Sequence, residues 1–154
     1  RRVLVNAARL LRGAALLDVP VLCTEQYPKG LGPTMIDLRE LLPEGAVMEK
    51  TAFGSMGEPR FRAALDALGR PQVVLCGTEA HVCVLQTALG LREASYDVFV
   101  VADAVGSRQP DSERAGLERA RDAGCAVVTT EMVLFEWVAD KDHPAFRDVS
   151  ALVK

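Results

Sequence analysis

The segment Gly77-Thr78-Glu79-Ala80-His81-Val82-Cys83-Val84 follows the apolar run Val73-Val74-Leu75-Cys76 and leads into a helical pattern, so it reads as a strand end, a turn and a helix start. A cysteine in the first turn of a helix feels the positive end of the macrodipole and unpaired backbone N–H groups. Both lower a thiol pKa, and the same N–H groups can hold an oxyanion. Cys83 is therefore the candidate nucleophile. The same position also fits a small apolar residue at a helix–sheet contact, the commoner fate of a free cysteine. Lys50 ends a second apolar run, Ala46-Val47-Met48-Glu49, in a chain with 14 Arg and only four Lys. Near a thiol its ammonium would favour the thiolate, and its pKa is adjustable where that of Arg is not; taken alone it reads first as a solvated strand-end charge. His81 lies two residues from Cys83 and so faces elsewhere on a helix. It reads as a substrate contact or a structural residue rather than as the base of Cys83.

Other chemistries fit less well. The chain has two His, His81 and His143, with no HxxxH or DxH pattern, and Glu79, His81 and Cys83 would need extended backbone where a helix starts, so no metal is expected. Gly30-Leu31-Gly32-Pro33 lacks the third glycine of a dinucleotide fingerprint and sits in a long loop. Gly54-Ser55-Met56-Gly57 misses the G-x-S-x-G elbow by one residue. The other cysteines, Cys23, Cys76 and Cys125, lie in or beside strands and read as core residues, free thiols of a reducing compartment rather than a disulfide framework.

The elements that must position these residues alternate along the chain. Helical spacing covers residues 2 to about 18, Pro59 to Leu68, about His81 to Ala94, Asp111 or Ser112 to Ala123 (with Asp111 as N-cap and Gly124 as C′), and Glu131 to Ala139. Shorter helices are expected from Met35 to Leu42 and from Pro144 to Leu152. Between them lie short apolar runs at 20–24, 46–49, 73–76, 97–102 and 126–129. Continuous Val, Leu and Cys runs alternating with amphipathic helices predict a parallel sheet covered on both faces, a three-layer α/β/α, Rossmann-like fold. In such sheets chemistry gathers at the carboxyl ends of the strands. Tyr27, Phe53 and His81 follow strand ends and are the expected pocket residues.

The chain has 154 residues, 18 basic against 21 acidic side chains, a formal charge of −3, 49% hydrophobic and 25% charged residues. That is an ordinary globular composition, long enough for one core, and without a Lys/Arg run it lacks the electrostatic footprint of a nucleic-acid binder. No apolar stretch approaches the roughly 20 residues that span a bilayer, and the first residues lack a signal-peptide core, so a cytoplasmic protein is expected, without a membrane partner.

Taken together, Gly77-Thr78-Glu79-Ala80-His81-Val82-Cys83-Val84-Leu85-Gln86-Thr87-Ala88, Val100-Val101-Ala102-Asp103-Ala104-Val105-Gly106-Ser107-Arg108 and the upstream Lys50-Thr51-Ala52-Phe53 resemble the isochorismatase-like cysteine hydrolases. Thr24-Glu25-Gln26-Tyr27-Pro28-Lys29-Gly30-Leu31-Gly32 is similar to the subgroup of isochorismatase-domain proteins. The resemblance implies an Asp–Lys–Cys triad with Cys83 as nucleophile and Lys50 as the cation that holds the thiolate. It places oxyanion-hole N–H groups on Glu79 and Cys83, after a cis peptide between Thr78 and Glu79, and gives Asp103 a role in ordering the strand-end loop. It implies no cofactor, a small-molecule substrate and a homo-oligomer. Nicotinamidases of this family carry an Asp/His metal set after the second strand, and no His stands there in this chain.

The family's Asp ends a first strand in an Asp-x-Gln pattern that residues 1–154 do not contain, and Asp18 is a poor substitute. The resemblance therefore implies a single domain over 1–154 that is N-terminally incomplete, with the Asp upstream of Arg1. Two functions are expected from different classes. One is a metal-independent cysteine hydrolase of a small amide, carbamoyl or enol-ether substrate; the other is a non-catalytic interaction or scaffold protein that keeps the fold.

Overall fold

Residues 1–154 are described by a computed structural model in which five strands are separated by helices. The amphipathic opening forms α1 (Arg2–Leu16), burying Asn6, Ala7, Leu10, Gly13 and Ala14 on one face. Then come β1 (Cys23–Gln26), α2 (Pro28–Leu31), α3 (Ile36–Arg39), β2 (Val47–Lys50), a 3-10 turn (Ser55–Gly57), α4 (Pro59–Leu68) and β3 (Gln72–Thr78). A π-helical turn (Ala80–Val84) leads into α5 (Leu85–Glu93), followed by β4 (Asp97–Gly106), α6 (Pro110–Asp122), β5 (Ala126–Val128), α7 (Thr130–Val138) and α8 (Phe146–Ala151). No helix is long and apolar enough to cross a membrane.

The strands are parallel and flanked by helices, but they form two ladders rather than one sheet: β1 with β2, and β3-β4-β5 with β4 in the middle. β4 shows why its sequence is apolar without a break. Val98, Val100 and Val105 enter one cluster with Phe61 and Leu65 of α4, Ala88 and Leu91 of α5 and Ala120 of α6. Val101 and Ala104 enter another with Leu10 of α1, Val128 of β5 and Val133 of α7. A strand covered on both faces has no polar side to alternate with. A third cluster joins Leu134 and Val138 of α7 to Val149 of α8.

Several boundaries depart from the sequence pattern. The first strand begins at Cys23 and continues through the polar Thr24-Glu25-Gln26, because pairing with β2 rather than apolarity defines it. The helix expected from Met35 to Leu42 is one turn, Ile36–Arg39; Pro43 disfavours helical backbone at Leu42. Gln109, not Asp111, is the N-cap of α6: Pro110 takes the first helical position, and Asp111 lies inside the first turn, 3.0 Å from Arg114. The long helix expected from His81 begins instead with the π turn.

Candidate active site

A cavity of about 370 Å³ lies where β1 and β3 end. It is bordered by Thr24, Glu25 and Gln26 of β1, by residues 31–34 and Phe53, by Thr78 at the end of β3, and by Glu79, Val82 and Cys83 after it. This is the carboxyl-end location at which an open α/β sheet places its ligands, and the volume suits a small molecule.

Cys83 is half-buried in the π turn. The turn is wider than an α-helical one: Val84 N donates to Glu79 O across five residues at 3.2 Å. The Thr78–Glu79 peptide is cis, and the Glu79 N–H donates to no group of the protein. Behind the turn, α6 comes so close at Gly116 that a Cβ there would stand 2.9 Å from His81 Cα and 3.2 Å from Ala80 O. Glu79 turns its carboxylate toward Arg108. It accepts from the Arg108 backbone N at 2.8 Å and pairs with Arg108 Nε at 3.2 Å. The backbone bond first, then the guanidinium, hold its carboxyl below the ordinary range.

Lys50 is 4% exposed, although it closes a strand. The β1–β2 register sets Gln26 opposite Lys50. Lys50 Nζ donates to Gln26 Oε1 at 2.5 Å, Ala52 O at 3.0 Å and Phe53 O at 2.6 Å. All three partners are neutral, so an ammonium with three N–H donors is fully satisfied without a counter-charge. Gln26 is itself fixed, its Nε2 donating to Thr51 O at 2.7 Å. Lys50 does not border the cavity and makes no hydrogen bond to Cys83.

Of the expected pocket residues, Phe53 borders the cavity and is 53% exposed. Tyr27 and His81 do not border it. Tyr27 is 54% exposed, with its backbone N donating to Lys50 O at 2.9 Å, and His81 Nδ1 bonds Ser107 Oγ at 2.8 Å. Asp103 ties β4 to the start of α7: one carboxylate oxygen accepts from both the N–H and the hydroxyl of Thr130, each at 2.8 Å. Asp18 is exposed and away from the cavity.

Some site residues are not singled out individually by the sequence, although Glu25 lies in the segment that carries the subgroup resemblance. Glu25 is 8% exposed and accepts from the Thr34 backbone N at 2.8 Å, which is the main reason its carboxyl titrates below the ordinary range. Ser55 and Thr87 are buried and bonded to each other, Ser55 N donating to Thr87 Oγ1 at 2.9 Å, and Ser55 Oγ lies 3.0 Å from Thr24 Oγ1. These hydroxyls join Thr24, which borders the cavity, to α5. Cys76 was expected in the core and is exposed instead. It retains solvent access while protein crowds it on most sides, and that desolvation, with the nearby Cys23 thiol, pushes it up to about 11. Cys125 is the buried cysteine. No three His, Cys, Asp or Glu side chains gather in a way that would hold a metal ion.

The isochorismatase domain model matches residues 1–132. The chain belongs to the isochorismatase family. It is 44% identical over 153 residues to isochorismatase domain-containing protein 2 of Danio rerio, covering 98% of this chain and 76% of that one. To isochorismatase domain-containing protein 1 of the same fish it is 44% identical over 147 residues, covering 95% of this chain and 51%, about half, of that relative's length. Among solved structures, MAR1 ribonuclease from Caenorhabditis elegans superposes with a TM-score of 0.93 at 37% identity, over 99% of this chain and 78% of that one. YcaC from Pseudomonas aeruginosa, solved with hexane-2,5-diol and covalent acrylamide, gives a TM-score of 0.91 at 26% identity, over 98% of this chain and 77% of that one. The isochorismatase fold thus accounts for the strand-end cavity and for the elements around it.

Proposed function

We propose that this isochorismatase-family protein is a cysteine hydrolase that cleaves a small amide, carbamoyl or enol-ether substrate without a metal. The observation that carries this reading is the placement of Cys83 on a strand-end cavity together with Glu79, whose backbone N–H is free to bind an oxyanion. In the amide case the Cys83 thiolate attacks the carbonyl carbon, and the Glu79 and Cys83 amides hold the oxyanion. The leaving amine departs with a proton, and water then releases the acyl group. Lys50 supplies the positive charge near the site, and an Asp from outside residues 1–154 serves as base in both halves. YcaC, similar in fold, was solved with covalent acrylamide, a small electrophilic amide, which is in keeping with an amide substrate here.

The ribonuclease activity in the name of the Caenorhabditis elegans relative is the competing substrate class. The charge of −3 and a cavity wall without Lys or Arg weigh against a polyanionic substrate here. The test is a hydrolysis screen of small amides, carbamoyl compounds, enol ethers and RNA with wild type and Cys83→Ala. Loss of turnover by about 10³-fold or more in Cys83→Ala is expected, and full activity in that variant would end the proposal. Alkylation of Cys83 at mildly acidic pH, no faster than free cysteine, would favour the non-catalytic scaffold instead.

A further inference from the structure

Three ionisable side chains border the cavity: Glu25, Glu79 and Cys83. Glu79 already has its counter-charge in Arg108, whose own side chain is 81% exposed. Glu25 differs. It is more than nine-tenths buried, yet no Lys, Arg or His forms an ion pair with it. Its donors within the protein come from Thr34 alone, the backbone N reaching Oε1 at 2.8 Å and the side chain adding to it, and neither carboxylate oxygen is a buried atom without a partner. Glu25 stands against Thr34 at the cavity wall rather than in an apolar core. Arg39, exposed on α3, acts on it only from a distance. Lys50, the buried cation of the region, spends its three N–H donors on Gln26, Ala52 and Phe53.

Held by Thr34 and open to solvent at the cavity wall, the ionised Glu25 presents a negative charge that no bordering cation offsets, and a ligand that displaces that solvent must supply donors in its place. We infer that Glu25 makes the cavity selective for substrates that present N–H donors and carry no negative charge, such as a primary amide or a ureido group, against carboxylate-bearing ones. The inference rests on Cys83 being the nucleophile of the same cavity, and it narrows the proposed substrates to the amide and carbamoyl classes. An anionic enol ether would bring its charge against Glu25 with no cation to offset it.

Iodoacetamide and iodoacetate test this directly, being closely matched thiol alkylators, one a neutral primary amide and the other an anion. The rate of each at Cys83 is followed by peptide mass mapping, which separates it from Cys23, Cys76 and Cys125. The quantity read is the iodoacetamide-to-iodoacetate ratio, divided by that of a small neutral thiol. An excess of about tenfold or more is expected in wild type at low salt, shrinking as salt is added. Glu25→Gln keeps an acceptor for Thr34 N but removes the charge, and should bring the ratio within about twofold of the small thiol. A purely structural role for Glu25 would leave the charge discrimination intact in that variant.

Fast alkylation by both reagents with no discrimination in wild type, or discrimination unchanged in Glu25→Gln, overturns the inference and leaves the nucleophile standing. Slow alkylation by both overturns the nucleophile and the inference with it. Should Glu25→Gln not fold, the wild-type ratio and its salt dependence decide alone.

Discussion

The two ladders of this protein are held by different forces. Around β3-β4-β5 the side chains are apolar and fully buried: Leu91, Val100, Val101 and Val105 are at or near zero exposure, packed between α4, α5 and α6 on one side and α1 and α7 on the other. Around β1-β2 the strands are four residues each, and their buried members include Glu25 and Lys50. There the fixing contacts are polar: Gln26 to Lys50, Glu25 to Thr34, and Thr24 through Ser55 to Thr87. Apolar packing is non-directional and tolerant, whereas a hydrogen-bonded charge places an atom to within tenths of an ångström. The proposed catalytic pair straddles the border between the two, with Cys83 carried by the apolar half and Lys50 by the polar one.

That division can be broken by substitution. Leu91→Ala should cost the most, about 2–5 kcal/mol in chemical denaturation, because it empties a site with no exposed surface. Gln26→Leu should follow at about 2–3 kcal/mol, since it strips an acceptor from a buried ammonium. It should also lower turnover and alter its pH profile, a change that Leu91→Ala would not produce in the molecules that stay folded. Were Gln26→Leu to cost more than Leu91→Ala, the polar half would be the mainstay of stability and the contrast would fall. Thr87→Val, nearly isosteric, should cost about 1–2 kcal/mol by leaving Ser55 N without its acceptor.

The smallest effect is a pH dependence. The folded protein holds the Glu25 carboxyl below its unfolded value of 4.5, so its contribution to stability is present above that value and is lost as pH falls through the folded pKa. The stability gap between wild type and Glu25→Gln at pH 7 should therefore narrow once pH drops below 4.5, as read by denaturation at several pH values. A gap independent of pH would remove the charge from the account of Thr34.

The apolar half was the more legible of the two in the sequence. β4 reads as a strand because both of its faces are covered, and α4 appears at the bounds its periodicity, Pro59 and Gly69 predict. Cys83 and Lys50 stood out by residue type and by their place after apolar runs. Glu25 and Gln26 did not, because the strand Cys23-Thr24-Glu25-Gln26 has no apolar period and is defined by its partner. Gln26 meets Lys50 only through the β1–β2 register, and Ser55 meets Thr87 across 32 positions of chain. Neither relation has a local signature. The split of the strands into two ladders was equally invisible, since apolar runs tell which segments extend and not which of them pair.

The near-contact at Gly116 gives the molecule a remote adjustment. Because α6 touches the backbone of His81 and Ala80 there without a Cβ between them, the width of residue 116 acts as a spacer beneath the turn that carries Cys83. A single methyl at this place, thirty-three positions along the chain from the thiol and outside the cavity, would tilt the turn by a few tenths of an ångström. The aim of the sulfur could then drift between relatives while every residue facing the ligand stayed the same.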